Sequence, residues 1–311
     1  MGREWSDHDR MSMPKSLPAR GWRGYLLLLH PGPSAVCTLV TAVAGWSAWR
    51  QSDSSHRASS GWGARLAWAS AAMAFAQVST GVLNDAFDAP WDRQFQAYKP
   101  IPSGTVSRAW AWMIGFACGA MSLVCARAAG PRSFRLMLGG LASGWSYSLG
   151  LSRTPISFVP FASGLATVPL LGPAAVGVSL PARNQVTVLA AGLGVGLHLA
   201  NGGPDIERDR QAGRKSLPVL LGTEGSRLTS RCLLGLGALA VALTSPRRGR
   251  GWTWSGAATC VALVVADRRG GFGPRSRGGH PFVLPALAGG ALAVGWLLGR
   301  GRVGSRPLRT K

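Results

Sequence analysis

The sequence predicts an all-α, polytopic membrane protein with about nine transmembrane helices. Charged residues make up 15% of the 311-residue chain, whereas soluble domains usually carry about 25%. Hydrophobic residues make up 47%, and they come in long uncharged runs, each near the roughly 20 residues that cross a bilayer core. These observations favour a membrane bundle over one or two soluble domains.

Nine apolar runs are predicted to form the membrane helices. In chain order they are residues 24–48, 63–84, 106–127, 134–150, 156–178, 185–202, 228–245, 252–267 and 281–299. The first run contains His30-Pro31-Gly32-Pro33, so we expect either a kink or an interfacial entry at its start. We expect one transmembrane domain, residues 23–300, between a mobile N-terminal tail, residues 1–22, and a basic C-terminal tail, residues 301–311.

The formal net charge is +22, which raises the question of a nucleic-acid partner. The arginines are scattered among short loops between apolar runs, and this placement argues against nucleic-acid binding. Anionic lipid headgroups explain the charge better, so the lipid bilayer is the expected partner. Slightly more Lys and Arg lie on the side of the N-terminus. The positive-inside rule therefore predicts a multi-pass protein of the cell membrane, with the N-terminus and both acidic segments in the cytoplasm.

Glycines inside the apolar runs indicate close helix packing. Gly140 and Gly144 form a GxxxG pair, and Gly192, Gly194 and Gly196 alternate within a later run. The second pattern is similar to a dinucleotide fingerprint, but no strand precedes it, so helix packing is the better interpretation. The five cysteines lie in or beside apolar runs without a CxxC pair, which argues against disulfides and zinc.

Two short acidic segments are the candidate site. They hold six of the chain's 12 acidic residues, and each follows an apolar run. Asn84, Asp88 and Asp92 have helical i, i+4, i+8 spacing, and Asp205 and Asp209 repeat the i, i+4 step. Carboxylates that face one another repel unless a positive charge lies between them. Mg²⁺ is the natural candidate, because it takes oxygen ligands and bridges carboxylates to substrate phosphates. The alternative is that these acids are solvated loop residues, although carboxylates at a membrane edge are costly and usually functional.

The two segments together resemble a known family. Residues 84–104 read N-D-A-F-D-A-P-W-D-R-Q-F-Q-A-Y-K-P-I-P-S-G, and residues 205–222 read D-I-E-R-D-R-Q-A-G-R-K-S-L-P-V-L-L-G. They are similar to the first and second signatures of the UbiA superfamily of intramembrane prenyltransferases, and the P-I-P-S-G form is closest to the branch of chlorophyll synthases and digeranylgeranylglyceryl phosphate synthases. The resemblance covers nearly the whole chain. It implies a helical bundle around a central cavity open to the lipid, and Mg²⁺-dependent transfer of an isoprenyl chain from a polyprenyl diphosphate to an acceptor.

The resemblance also implies roles for single residues. Lys99 occupies the position usually held by Arg in R-P-x-P-S-G, Arg153 ends a segment similar to Y-S-x-x-x-K-R, and Lys215 lies inside the second signature. These three are candidate catalytic and diphosphate-binding residues, or alternatively contacts to lipid headgroups. Asn84, Asp88 and Tyr147 join them as candidate substrate contacts, and the metal ligands would be Asn84, Asp88, Asp92, Asp205 and Asp209. Tyr147 would stabilise a cation with its ring or act as an interfacial anchor.

Two departures from the family pattern affect the expected geometry. Pro90 lies between Asp88 and Asp92, where it disfavours helix and removes an amide donor. Gly202 stands where many relatives carry another Asp.

His198 is either a general base or a buried, satisfied histidine. The sequence does not identify the acceptor, and two other functions stay open: a terpene cyclase without an acceptor, and a transporter with broken helices and midplane acids.

Overall fold

The computed structural model describes residues 22–58, 60–180, 183–266 and 283–299. Almost all of the predicted N-terminal tail and the whole C-terminal tail lie outside these residues. The described residues form helices, with no strand among them. The helices are α1 Trp22–Leu28, α2 Pro31–Gln51, α3 Ser54–Ala58, α4 Trp62–Phe95, α5 Arg108–Ala129, α6 Pro131–Ser148, α7 Phe158–Ala175, α8 Arg183–Gly202, α9 Ile206–Gln211, α10 Leu217–Leu243, α11 Arg250–Ala266 and α12 Val283–Gly299.

A membrane bundle is the architecture that these helices form. Within the described residues, each of the nine predicted runs corresponds to one long helix, namely α2, α4–α8 and α10–α12. In the part of the chain that the structure describes, five segments are both long and apolar enough to cross a membrane: α4, α5, α7, α8 with its extension through α9, and α10. The all-α membrane fold is therefore confirmed, while the count of nine spans stays a prediction.

The long helices pack in a closed ring. Each long helix packs beside the next one in the chain, and α12 returns to pack against α2. Helix α2 also packs against α7 across the ring. Buried hydroxyl groups support both kinds of contact: Thr41 of α2 donates to the Val168 carbonyl of α7 at 3.0 Å, and Ser47 of α2 donates to the Leu297 carbonyl of α12 at 2.6 Å. Such bonds satisfy polar groups that lipid cannot satisfy.

The predicted close packing is present at Gly144 and Gly194, whereas Gly192 has open space beside it and Gly140 makes only ordinary van der Waals contact. A Cβ on Gly144 would lie 2.3 Å from the Thr80 side chain, and one on Gly194 would lie 2.5 Å from the Phe161 carbonyl oxygen. Both distances are too short for any side chain, so only glycine lets α6 approach α4 and α8 approach α7 this closely.

Helix α4 is longer than the sequence predicted, and this corrects the expectation for Pro90. The helix was expected to end near residue 84, yet it continues through Pro90 to Phe95. A proline lacks the N–H that would bond the carbonyl four residues earlier, which here belongs to Ala86. The Arg108 Nε–H donates to that carbonyl at 2.8 Å. A side chain of α5 thus supplies the donor that Pro90 removes, and the helix persists.

The second acidic segment is also more helical than expected. Residues 203–227 were predicted as a connection, but they contain a 3₁₀ turn, α9 and the first turns of α10. Gly222, with φ of 70°, breaks the regular path of α10, and the Ser226 hydroxyl donates to the Pro218 carbonyl across this break at 3.1 Å. The predicted kink near His30 is confirmed, because His30 separates α1 from α2 with φ of 47°.

Candidate functional site

The two acidic segments lie at the same end of the bundle. Successive long helices run in opposite directions, so the end of α4, the turn after α6 and the segment after α8 share one end. The helix α4 carries the first acidic segment to this end, and α9 carries the second. The fold therefore brings together segments that are more than a hundred residues apart in the chain.

Arg214 connects the two segments. Its guanidinium Nη1 lies 3.3 Å from Asp209 Oδ1, and its Nη2 lies 3.8 Å from Asp88 Oδ1. The same guanidinium lies 4.9 Å from the Trp91 ring centroid, which supports it from α4 by a cation–π contact. All three charged side chains are at least three-quarters shielded from solvent. Asp88 and Asp209 thus share one cation.

Arg153 joins this cluster from the turn between α6 and α7. Its Nη2 lies 3.7 Å from Asp88 Oδ1, and half of its side chain is exposed. The Arg153 carbonyl accepts a hydrogen bond from the Lys215 amide at 3.1 Å, so the backbone fixes the two basic residues beside each other. The Lys215 side chain is exposed. The fold therefore places Arg153 and Arg214 against the same acid, with Lys215 next to Arg153.

Asp205 lies on the other side of Asp209. Arg208 Nη2 is 3.1 Å from Asp205 Oδ1, and Arg208 Nε is 4.0 Å from Asp209 Oδ1. The Arg208 guanidinium also lies 5.6 Å from the Phe95 ring at the end of α4. Three acids and three arginines consequently form one continuous cluster, with Asp88, Asp205 and Asp209 alternating with Arg153, Arg208 and Arg214.

Lys99 belongs to a second, separate network. Its Nζ lies 2.7 Å from Asp92 Oδ2 and 3.2 Å from Asp85 Oδ1. The other oxygen of Asp85 is 2.9 Å from His30 Nε2. Asp92 and Asp85 are 2% and 5% exposed. Residues seven apart drift by only about 20° around a helix, so Asp92 shares its direction with Asp85, and it meets Lys99 rather than the partners of Asp88.

The carboxylates of the cluster have the chemistry of a magnesium site. Asp88, Asp205 and Asp209 carry the oxygen ligands that this ion takes, and Asn84 stands one turn before Asp88 on α4. Asp209 Oδ1 is buried and accepts no hydrogen bond, despite its ion pair with Arg214. In the part of the chain that the structure describes, no three His, Cys, Asp or Glu side chains are close enough to form a complete metal site. The donors fit the ion in kind, and the guanidinium of Arg214 lies between them.

An aromatic wall adjoins the cluster. Tyr147 is close enough to Asp88, Asp205 and Asp209 to interact with their charges, and its ring packs edge-on against Phe161 at 5.2 Å. His198 lies behind it at 5.8 Å. Tyr147 therefore lies within electrostatic range of the acids, and its ring packs against Phe161 and His198.

His198 is buried, with 1% exposure, and its hydrogen bonding is only half satisfied. Ser157 Oγ accepts the Leu217 amide at 2.9 Å and lies 2.9 Å from His198 Nε2. A serine hydroxyl has one proton and two acceptor lone pairs, so the histidine tautomer decides whether Ser157 Oγ donates to Nε2 or accepts from it. Among the described residues, the other ring nitrogen, His198 Nδ1, has no hydrogen-bond partner.

Sequence reasoning missed several residues that organise this region, namely His30, Asp85, Arg108, Arg208 and Arg214. Arg208 and Arg214 stand inside the second signature, directly beside Asp209 and Lys215. Their positions in the sequence could therefore have indicated that they belong to the site. His30 and Arg108 act across 55 and 22 residues of sequence, and no local pattern indicates such contacts.

Comparisons with known proteins identify the family. The chain matches the model of the UbiA prenyltransferase family over residues 35–277. It is 30% identical to the bacteriochlorophyll synthase 33 kDa chain of Rhodobacter capsulatus over 174 residues, which cover 52% of this chain and 56% of that protein. It is 27% identical to the digeranylgeranylglyceryl phosphate synthase of Thermococcus sibiricus over 154 residues, which cover 49% of this chain and 55% of that protein. The chain spans about half the length of these curated relatives, and they belong to the branch that the P-I-P-S-G form indicated.

Solved structures share the fold. The structure of a UbiA homolog from Archaeoglobus fulgidus bound to GPP and Mg²⁺ has a TM-score of 0.65 at 20% identity, covering 88% of this chain and 98% of the homolog. The apo structure of a UbiA homolog from Aeropyrum pernix has a TM-score of 0.63 at 18% identity, covering 84% of this chain and 95% of that homolog. Since the family match extends over well more than half of the sequence, the chain belongs to the UbiA prenyltransferase family.

Proposed function

We propose that the protein is a Mg²⁺-dependent integral membrane prenyltransferase, which moves an isoprenyl chain from a polyprenyl diphosphate to a small aromatic or lipid acceptor. The observation that carries this proposal is the cluster in which Asp88 and Asp209, from the two signatures, contact the same Arg214. A mixed cluster of acids and arginines is suited to a metal–diphosphate complex, because the acids attract the cations and the guanidinium groups bind phosphate oxygens.

The named relatives and neighbours support the donor. A UbiA homolog with this fold has been solved with GPP and Mg²⁺, and GPP is an isoprenyl diphosphate. The synthases of bacteriochlorophyll and of digeranylgeranylglyceryl phosphate support transfer to an acceptor. We place the protein in the cell membrane as a single domain over residues 23–300, with the N-terminus and the acidic cluster on the cytoplasmic side.

In the proposed reaction, the bond between the first prenyl carbon and the diphosphate oxygen breaks, and its electron pair leaves with the diphosphate. Mg²⁺, when bound, supplies neutralising charge for this leaving group. Arg153, Arg214 and Lys215 bind the diphosphate oxygens and hold the prenyl carbon at the mouth of the bundle. The acceptor then forms a bond to that carbon and loses a proton. Tyr147 and Phe161 exclude water from the allylic cation and stabilise it with their rings.

Lys99 and Asp92 have a supporting role in this proposal. The ion pairs among Lys99, Asp92 and Asp85 hold the P-I-P-S-G turn against α4, and α4 presents Asp88. The proposed metal ligands are Asn84, Asp88, Asp205 and Asp209. Asp92 supports them indirectly, because its ion pair with Lys99 holds the end of α4 that carries Asp88.

Diphosphate release in nanodiscs tests the proposal. The purified protein receives geranylgeranyl diphosphate, Mg²⁺ and a lipid extract as a source of acceptor. We expect release that EDTA abolishes and that Asp88→Asn and Asp209→Asn each reduce by at least about 100-fold. Glu224→Gln is the matched control, because Glu224 is an exposed acid that pairs with Arg227 outside the cluster.

The products separate the proposal from its alternatives. A prenylated acceptor supports transfer. Release with a cyclic hydrocarbon product and no need for an acceptor identifies a terpene cyclase instead. Folded protein that releases no diphosphate from donors of any chain length contradicts the enzyme proposal and favours a transporter.

A further inference from the structure

A second polar site lies at the opposite end of the bundle. A cavity of about 470 Å³ is lined by Arg132 and Arg135 from the first two turns of α6, by Arg183 at the start of α8, and by the apolar side chains of Leu136, Leu170 and Val178. Helices α6 and α8 begin here, whereas they run toward the acidic cluster at their other ends. The cavity is therefore about one membrane thickness from the candidate active site.

All the charged residues that line this cavity are positive. None of the residues that line it is acidic. Within the described chain, none of the three guanidinium groups has an ion-pair or hydrogen-bond partner. At this whole end of the described bundle, the single acidic residue is Asp53. Three arginines that converge without a counter-charge repel one another, and an anion between them removes that repulsion.

The shape and position of the cavity define the anion. Its polar part is formed by helix starts, which favour negative charge, and its wall is aliphatic. Because it lies at the ends of membrane helices, it is at the level of lipid headgroups. A phosphate group with a hydrocarbon tail matches both parts, since guanidinium groups bind phosphate in a forked geometry and the leucines accept the tail.

We infer that this arginine cavity binds the phosphate headgroup of an anionic phospholipid. The inference is independent of the proposed function, because it uses no residue of the acidic cluster. A bound lipid would join α6, α7 and α8 at the end where the chain between α7 and α8 has only a short connection. The same cavity chemistry would also accept a free phosphate ion, and the experiment distinguishes the two.

Thermal unfolding of the full chain in detergent provides the test. Phosphatidylglycerol, phosphatidylcholine and inorganic phosphate are each titrated, and lipid adducts are counted by native mass spectrometry. We expect phosphatidylglycerol to raise the melting temperature and to form a retained adduct, with little effect of phosphatidylcholine. The variant Arg132→Gln/Arg135→Gln/Arg183→Gln should bind it on the order of 100-fold more weakly, at about fivefold per arginine.

The matched control is Arg65→Gln/Arg127→Gln/Arg247→Gln. It removes the same charge from exposed arginines at the same end of the bundle, outside the cavity, and it should bind phosphatidylglycerol like the unmodified protein. Equal loss in both triple variants would overturn the inference in favour of general surface charge. Protection by inorganic phosphate alone, with no further gain from phosphatidylglycerol, would overturn the assignment to a lipid.

A second variant keeps the test valid if the triple variant does not fold. Ser179 is exposed at the cavity rim, and Ser179→Glu adds a carboxylate to the arginines without changing any helix. This variant should fold and lose the phosphatidylglycerol adduct, because its own carboxylate competes for the guanidinium groups. Retention of a full adduct in folded Ser179→Glu would contradict the inference.

Discussion

The bond between Arg108 and the Ala86 carbonyl should be a measurable support of the candidate site. Ala86 is fully buried, and Pro90 leaves its carbonyl without the usual helical donor. Hydrogen bonds to charged groups contribute about 1.5–3 kcal/mol. Arg108 itself is exposed, so we expect the lower end of that range. Arg108→Ala should reduce the free energy of unfolding by about 1.5 kcal/mol and slow diphosphate release, because the turns of α4 that carry Asp88 and Asp92 lose their tie to α5.

A double-mutant cycle makes this reasoning specific. Pro90→Ala restores a backbone donor for the Ala86 carbonyl, so the cost of Arg108→Ala in that background should fall below about 0.5 kcal/mol. Arg93→Ala is the control, because Arg93 is an exposed arginine on α4, the helix of Pro90. It should change the free energy of unfolding by less than about 0.5 kcal/mol. Unfolding is followed in mixed micelles with increasing denaturant. Equal costs of Arg108→Ala with and without Pro90 would refute the compensation.

Three further predictions concern the buried polar networks. Asp92→Asn should lower the free energy of unfolding by about 3 kcal/mol, because it breaks a buried ion pair. Asp88→Asn should change the free energy of unfolding by less than about 1 kcal/mol and should mainly reduce diphosphate release. Equal losses of stability in the two variants would contradict this division. His30→Ala should cost about 1 kcal/mol and speed hydrogen exchange in α1, because the contact between His30 and Asp85 ties the junction of α1 and α2 to α4. Unchanged exchange would show that this contact does not hold α1 in place. Ser157→Ala should cost about 1–3 kcal/mol, because it leaves the His198 ring and a backbone amide unpaired; Ser152→Ala is the control, and an equal effect would argue against the network.

The sequence was sufficient to predict the helical bundle and the convergence of the two signatures. Apolar runs of membrane length have one stable solution in lipid, because every backbone group must be bonded within the segment. Glycine spacing predicted close contacts at Gly144 and Gly194, which are present. These features depend on local composition, and local composition is visible in a single sequence.

Long-range compensation was not predictable from the sequence. Pro90 indicated a helix end by every local rule, and the helix continues because a donor arrives from residue 108. The i, i+4, i+8 spacing grouped Asp92 with Asp88, yet helical drift and the position of Lys99 group it with Asp85. In both cases the outcome depends on a partner from a neighbouring element, whose approach no periodicity reveals.

The acids of α4 therefore divide into two classes, although they stand within one motif. Asp85 and Asp92 are almost completely buried and each contacts Lys99, and Asp85 also contacts His30. Asp88 lies between them in sequence, is about a quarter exposed, and faces two arginines from other segments. A buried carboxylate that is already paired has little capacity for a further ligand, whereas a partly exposed one with arginine neighbours can exchange them for metal and phosphate. This division explains how one short helical segment both fixes the surrounding turns and presents a reactive carboxylate at the mouth of the bundle.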